Sequence, residues 1–491
     1  MILELIILAL IALYIFNWWA HDYWKRKNVF SVPTEFFFGN IRRLLQKKIT
    51  MYSMFHEFHN KYKEHKMIGF YSFYRPMLIV TDPEIVKRIL VTDFNSFYNS
   101  GFDLSTTVDP IMGLNPFTIK TIPEWKEIRG MQAAHQTQVK LRELIPGFLK
   151  VSDNMFGYIK NQKNQPIKVL DFAFRLTVDF AVLNAFGIEP RSFTDPDFGF
   201  IKHASAENIF SANYLNTFGA LFFPLLCRLF SLRLVTKEAE GFFVSMSKSN
   251  LQHRLSANIT RSDLFDTVVK SQKKKDGQKN KVYNQSEMVI AAACANFYVD
   301  ATITSSSVLS FMLLELANHQ DIQEKLREEI LSVGKKPEDF DFEKINTMTY
   351  LQMVFDECMR MHAPVSSLSR TCTKDIVIND VTISKGTKVF IAASAFHQDP
   401  EYYSEPKKFD PERFSDVNKQ SRVKYTYLPF GEGPRICVGF KYGTLAVKIS
   451  VIFVLLKYRI VACVDANESL YDPNEFFLTP KADATMKLEE L

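Results

Sequence analysis

The chain has no C-x-x-C pair. Its six cysteines, Cys227, Cys294, Cys358, Cys372, Cys437 and Cys463, stand apart without framework spacing, which argues against a disulfide scaffold and for a reducing compartment. No Gly/Ser-rich or Pro-rich linker divides the 491 residues, so one large unit, residues 21–491, is expected behind a short N-terminal segment, residues 1–20. No basic block with interleaved aromatics is present and the formal net charge is a modest +6, which argues against a nucleic-acid partner. A nucleotide-binding glycine fingerprint is also missing, so no dinucleotide site is expected in this chain. No small-residue cleavage site follows the apolar N-terminus, as a removable secretory peptide would require.

What is present is a large apolar core. Hydrophobic residues make up 47% and charged residues 23%, and 44 phenylalanines imply an aromatic interior. Met1 to Ala20 is apolar apart from Glu4 and Asn17, close to the ~20 residues that cross a bilayer as a helix. Trp18, Trp19, Tyr23 and Trp24 read as an interfacial aromatic belt, and Lys25, Arg26 and Lys27 after them place the bulk of the protein on the cytoplasmic side. Met67 to Thr81 is strand-like around Arg75-Pro76, and Asp82 to Val91 is helix-like. Ile209 to Leu234 carries Phe210, Phe218, Phe222, Phe223 and Phe230, broken by Pro224, a surface for a core or for lipid. Lys273 to Lys281 reads as a solvated loop. Ser286 to Asn318 holds no Gly or Pro and predicts a helix roughly 50 Å long.

The stretch that organises the rest is Phe430-Gly431-Glu432-Gly433-Pro434-Arg435-Ile436-Cys437-Val438-Gly439. A thiolate approaching a flat macrocycle needs a backbone free of Cβ atoms, and Gly431, Gly433 and Gly439 supply it. Pro434 stiffens the loop, Phe430 is placed to pack beside the sulfur, and the apolar run Thr444 to Lys457 predicts a following helix whose N-terminus favours ionised sulfur. The segment resembles the haem-binding loop F-x-x-G-x-R-x-C-x-G of the cytochrome P-450 superfamily, the haem-thiolate monooxygenases, at every fixed position. The resemblance implies a mainly α fold with a small β part, haem b as cofactor, Cys437 as axial ligand of its iron, and Arg435 on a propionate. It extends to Trp125 and Arg129 in W-x-x-x-R as propionate ligands, although Met131-Gln132-Ala133-Ala134-His135 departs from the usual Ser-Pro-x-Phe. Arg370 is a further propionate candidate. Glu357, Arg360 and Arg413 would form a buried charge clamp behind the haem, and Val365, Ser366, Ser367 and Leu368 would line the substrate pocket.

On the long helix, the family pattern (A/G)-G-x-(D/E)-T-(T/S) places the oxygen-site threonine at Thr304, followed by Ser305. The acid position holds Ile303 and the glycine position Ala301, while Asp300 lies one turn before Thr304 on the same face. Three readings stay open: Asp300 replaces the acid, ordered water relays protons, or oxygen activation has been lost. A structural acid bonded to a neighbouring helix is the alternative for Asp300 itself. Only Val32-Pro33-Thr34 stands where microsomal relatives carry a proline-rich hinge, which implies a less rigid junction.

The resemblance further implies an endoplasmic reticulum anchor with the catalytic domain facing the cytoplasm, and insertion of one atom of O2 into a lipophilic xenobiotic, steroid or fatty acid. Electrons would come from NADPH through a separate cytochrome reductase, with cytochrome b5 as a second carrier, docking on Lys126, Lys419, Arg422, Lys424 and Lys441. Tyr425-Thr426-Tyr427-Leu428-Pro429-Phe430 is in the style of the animal microsomal branch. Two alternatives are an oxygen-independent hydroperoxide isomerase or dehydratase, and a non-catalytic haem-binding relative.

Overall fold

The computed structural model describes residues 1–102, 104–209, 219–223, 227, 229–276, 286–463, 471 and 477–491. Phe210, Phe218 and Pro224 of the aromatic stretch, and residues 277–281 of the lysine-rich stretch, lie outside the described residues. The fold is mainly helical, and its axis is the helix Ser286–Asn318, whose bounds are those expected from the Gly- and Pro-free run. That helix is apolar enough to pass for a membrane span, but its span-like window is 83% buried, so it is a core helix. It packs chiefly on the helix Val169–Phe186, and also on the helices Lys237–Ser256, Thr349–His362 and Phe440–Lys457. Phenylalanines fill the seams: Phe148, Phe172, Phe180 and Phe186 are fully buried, each worth about 1.5–3 kcal/mol of apolar transfer.

Among the described residues nine strands form three small sheets: β1 (Met67–Ser72), β2 (Arg75–Val80), β3 (Ile167–Lys168), β4 (Leu368–Thr371), β5 (Ile376–Ile378), β6 (Val381–Ile383), β7 (Lys388–Ile391), β8 (Tyr458–Ala462) and β9 (Thr485–Glu490). The largest has the order β1-β2-β7-β4. β2 runs parallel to β7, pairing Met77 to Val80 with Lys388 to Ile391, and β4 runs antiparallel on the far side of β7. This crossover brings the N-terminal hairpin to β7, whose other edge pairs with the strand that carries Arg370. The helix after β2 starts where Asp82 caps it, Oδ1 accepting from the amides of Glu84 and Ile85 at 3.0 and 3.1 Å. Lys273 to Asp276 is helical, the last turn of Leu264–Asp276, where a loop was expected.

The N-terminal helix Ile2–His21 is long and apolar enough to cross a membrane, and Trp18 and Trp19 are exposed on it. Trp24 departs from the expected belt. It is fully buried, in a slot that exists because Gly69 has no side chain; a Cβ there would meet the indole at 2.4 Å. The thin hinge is compensated by backbone pairing, with Val32 N–H donating to Gly69 O at 2.9 Å and Gly69 N–H to Phe30 O at 2.7 Å. Within the aromatic stretch Phe222 is buried, Phe223 half-buried and Phe230 exposed.

Candidate active site

The cysteine loop is held by glycines and a buried histidine. Gly431 and Gly433 adopt φ of +73° and +74°, and a Cβ on Gly433 would lie 2.1 Å from Leu90 O, so no other residue fits there. Gly439 has an ordinary backbone and faces open space. Cys437 N–H donates to Phe430 O at 2.9 Å, closing the loop, while the Phe430 ring lies towards Phe355 and Phe440. Leu428 N–H donates to His397 Nε2 at 2.8 Å; burial, aided by Arg360, pushes His397 down to about 3, which keeps that nitrogen an acceptor.

Cys437 is exposed although protein surrounds it, as on the wall of an internal cavity. Burial pushes its thiol up to about 11, against the lowering effects of the Gly439 N–H and Arg129. The helix Phe440–Lys457 begins beside it as expected, with Gly439 as its N-cap. A coordinated metal would deprotonate the thiol outright.

Three guanidiniums gather near this loop. Arg435 lies over Trp125 at 4.8 Å and donates to Pro116 O and Ile119 O at 2.9 and 2.8 Å. Arg129, one turn after Trp125 on the helix Ile122–Ala134, donates to Ile436 O at 2.6 Å. Arg370 is 4% exposed and donates to its neighbour's carbonyl, Ser369 O, at 2.8 Å. Burial pushes Arg370 down to about 10, and burial with its cationic neighbours pushes Arg435 to about 9. Among the described residues none of the three has a carboxylate partner, and the Nε atoms of Arg370 and Arg435 are buried and unbonded. Unneutralised cations, Arg370 buried and Arg129 and Arg435 half-buried, beside an accessible sulfur and an open glycine fit an anionic, flat, thiolate-ligated macrocycle; haem b, with two propionates, has that chemistry.

Across the cavity the long helix shows an accessible stripe. Asp300 is exposed and Ala301 and Thr304 are half-buried, while Ile303 is buried. Asp300 and Cys437 feel each other's charge. Thr304 Oγ1 donates to Asp300 O at 2.5 Å, so it bonds the backbone and not the carboxyl. The carboxyl instead accepts from Asn115 Nδ2 at 3.0 and 3.3 Å, and although its surface is accessible, desolvation by the protein packed around it pushes it up to about 7.

Behind the loop, Arg360 makes a fork onto Glu357 at 2.7 and 2.8 Å and donates to His397 O at 2.8 Å. Arg413 lies 3.3 Å from Glu357, and Asp410 N–H donates to the same carboxylate at 2.8 Å. Glu357 and Arg360 are fully buried. Val365, Ser366 and Leu368 are half-buried and Ser367 is 9% exposed, in the stretch leading into β4; Leu368 comes within 3.6 Å of where a Gly431 Cβ would be. Lys126, Lys424 and Lys441 are exposed, and a groove of about 440 Å³ is lined by Lys419, Arg422, Lys424 and Tyr427 among others.

His397, Asn115 and Asn296 escaped the sequence reading. Asn296, Asp300 and Thr304 are four apart and form a polar stripe in an apolar helix, a signal that was available. Nothing local marks His397 or Asn115.

The cytochrome P450 family model matches residues 32–488. Similar proteins include cytochrome P450 6k1 of Blattella germanica, 32% identical over 489 residues that cover 94% of this chain and 92% of that one. The probable cytochrome P450 6a23 of Drosophila melanogaster is 32% identical over 452 residues, 89% of each chain. Cytochrome P450 9e2 of Blattella germanica is 28% identical over 478 residues, covering 91% and 90%. The chain belongs to the cytochrome P450 family and is a haem-dependent monooxygenase.

Proposed function

We propose that the protein is a membrane-anchored monooxygenase that inserts one atom of O2 into a lipophilic xenobiotic, steroid or fatty acid. NADPH supplies electrons through a separate reductase, with cytochrome b5 as a second carrier, at the groove around Lys419, Arg422 and Lys424. The helix Ile2–His21 anchors it in the endoplasmic reticulum, and residues 21–491 form one cytoplasmic domain. The observation that carries the reading is the set of unneutralised guanidiniums of Arg129, Arg370 and Arg435 around the Cys437 loop.

Bound haem supplies the redox chemistry that activates dioxygen. Cys437 ligates its iron, and Trp125, Arg129, Arg370 and Arg435 hold its propionates. Glu357, Arg360 and Arg413 lock the layer behind the loop. Thr304 Oγ1 donates its hydrogen bond to the Asp300 carbonyl, which leaves its lone pairs free to accept a bond in the cavity. Ile303 cannot pass a proton, whereas Asp300, one turn before Thr304 and pushed to about 7, is able to donate one near neutral pH. Val365, Ser366, Ser367 and Leu368 line the substrate side.

The test is isotopic. With reductase and NADPH, a lipophilic substrate panel should acquire one labelled oxygen from ¹⁸O2. Turnover of an organic hydroperoxide without NADPH, with no label incorporated, would support the isomerase alternative instead.

A further inference from the structure

We propose that Asn115 is a positioning residue of the distal cavity: its side-chain amide fixes the Asp300 carboxyl beside Thr304 and directs that carboxyl's proton into the cavity. The inference rests on the proposed role of Asp300 and adds the group that aims it.

Asn115 is 1% exposed and follows the short helix Pro110–Gly113. Its Oδ1 accepts from Phe117 N–H at 2.8 Å, which sets the orientation of the amide and turns Nδ2 towards the long helix. Nδ2 then has two protons and two destinations: the Asp300 oxygens at 3.0 and 3.3 Å, and Asn296 Oδ1 at 3.2 Å. Asn296 is held in turn, its Nδ2 donating to Ile111 O at 2.8 Å. Every polar atom of the Asn115 side chain is therefore committed. Among the described residues Asn115 is the carboxyl's one hydrogen-bond partner.

The chemistry of that partner matters. An amide nitrogen only donates, so a protonated Asp300 cannot return its O–H to Asn115 and must aim it elsewhere. The accessible space beside Asp300, within electrostatic reach of the Cys437 thiol that also interacts with Arg129, is the open direction. A carboxylate or histidine at position 115 would compete for the proton; an asparagine does not. The next residues also serve the other wall, since Pro116 and Ile119 accept from Arg435, two residues before Cys437. One short segment thus ties the distal carboxyl to the cysteine loop.

The experiment is a mutant cycle read by the infrared C–O stretch of the reduced, carbon-monoxide-bound holoenzyme, which reports the polar groups around the bound gas. N115D keeps the acceptor for Phe117 but removes the donor, and should broaden or split the band as the carboxyl loses its single orientation. The exchanged pair N115D/D300N restores an amide donor between the two positions and should return a single band. N115A, which also removes the donor, serves in the same cycle should N115D fail to retain haem. A band unaltered by loss of the Asn115 donor, or one perturbed equally with and without Asp300, overturns the assignment. Peroxide release per NADPH in D300N is a separate readout: no change there removes Asp300 from proton delivery and leaves the infrared result to judge Asn115 by itself.

Discussion

Replacing Arg360 by alanine should cost the protein its haem. The guanidinium is fully buried, makes two bonds to Glu357 at 2.7 and 2.8 Å, and a third to His397 O at 2.8 Å. Without it Glu357 keeps, among the described residues, only the Asp410 amide and Arg413 at 3.3 Å, and remains a buried carboxylate with most of its compensation gone. Breaking a buried pair by removing one partner costs about 3–5 kcal/mol. That is about a fifth or more of the roughly 5–15 kcal/mol by which folded proteins are stable. The loss falls directly behind the haem loop, because His397 both accepts from Arg360 through its carbonyl and supports Leu428 through its ring. The assay is haem content per protein, from the Soret absorbance, together with thermal unfolding. E357Q/R360M, which removes both charges, should recover part of the loss. A fully haem-loaded R360A protein with unchanged unfolding would refute the reasoning.

Three further outcomes are expected. The protonated fraction of Asp300, and with it the coupling of NADPH to product, should fall as pH rises through about 7; D300N should release more peroxide per NADPH and lose this pH step, as a peroxide assay across pH will show. Arg370→Met should stabilise the haem-free protein, by removing an unneutralised buried cation, yet speed haem transfer to a scavenger protein roughly 10–100-fold, the equivalent of one charge-assisted hydrogen bond. Trp24→Ala should cost about 3–5 kcal/mol in denaturant unfolding because the indole is a core residue, while Trp18→Ala, exposed on the N-terminal helix, should cost almost nothing.

Much of the fold was legible where one physical rule acts alone. The ends of Ser286–Asn318 were visible because Gly and Pro are absent between them, and β1 and β2 because β-branched and aromatic residues flank a turn. Rules that compete were harder to read. Trp24 sits among membrane-interface residues in sequence, but the slot above Gly69, more than forty positions away, decides its fate. The helix after Cys437 was foreseen, whereas the net effect on the sulfur depends on burial, which no local pattern reveals. Glu357, Arg360 and Arg413 are legible only through the resemblance to the family's order of motifs, and the structure brings them together. Asn115 was not found, because its importance comes from the crossing of a loop with a helix.

Thiolate ligation by Cys437 is the claim on which the rest depends. The absorption spectrum of the dithionite-reduced, carbon-monoxide-bound protein, in detergent or microsomes, tests it most directly. A strongly red-shifted Soret band is expected. A band at the position of an imidazole- or thiol-ligated haem, in protein shown to be folded, would contradict it.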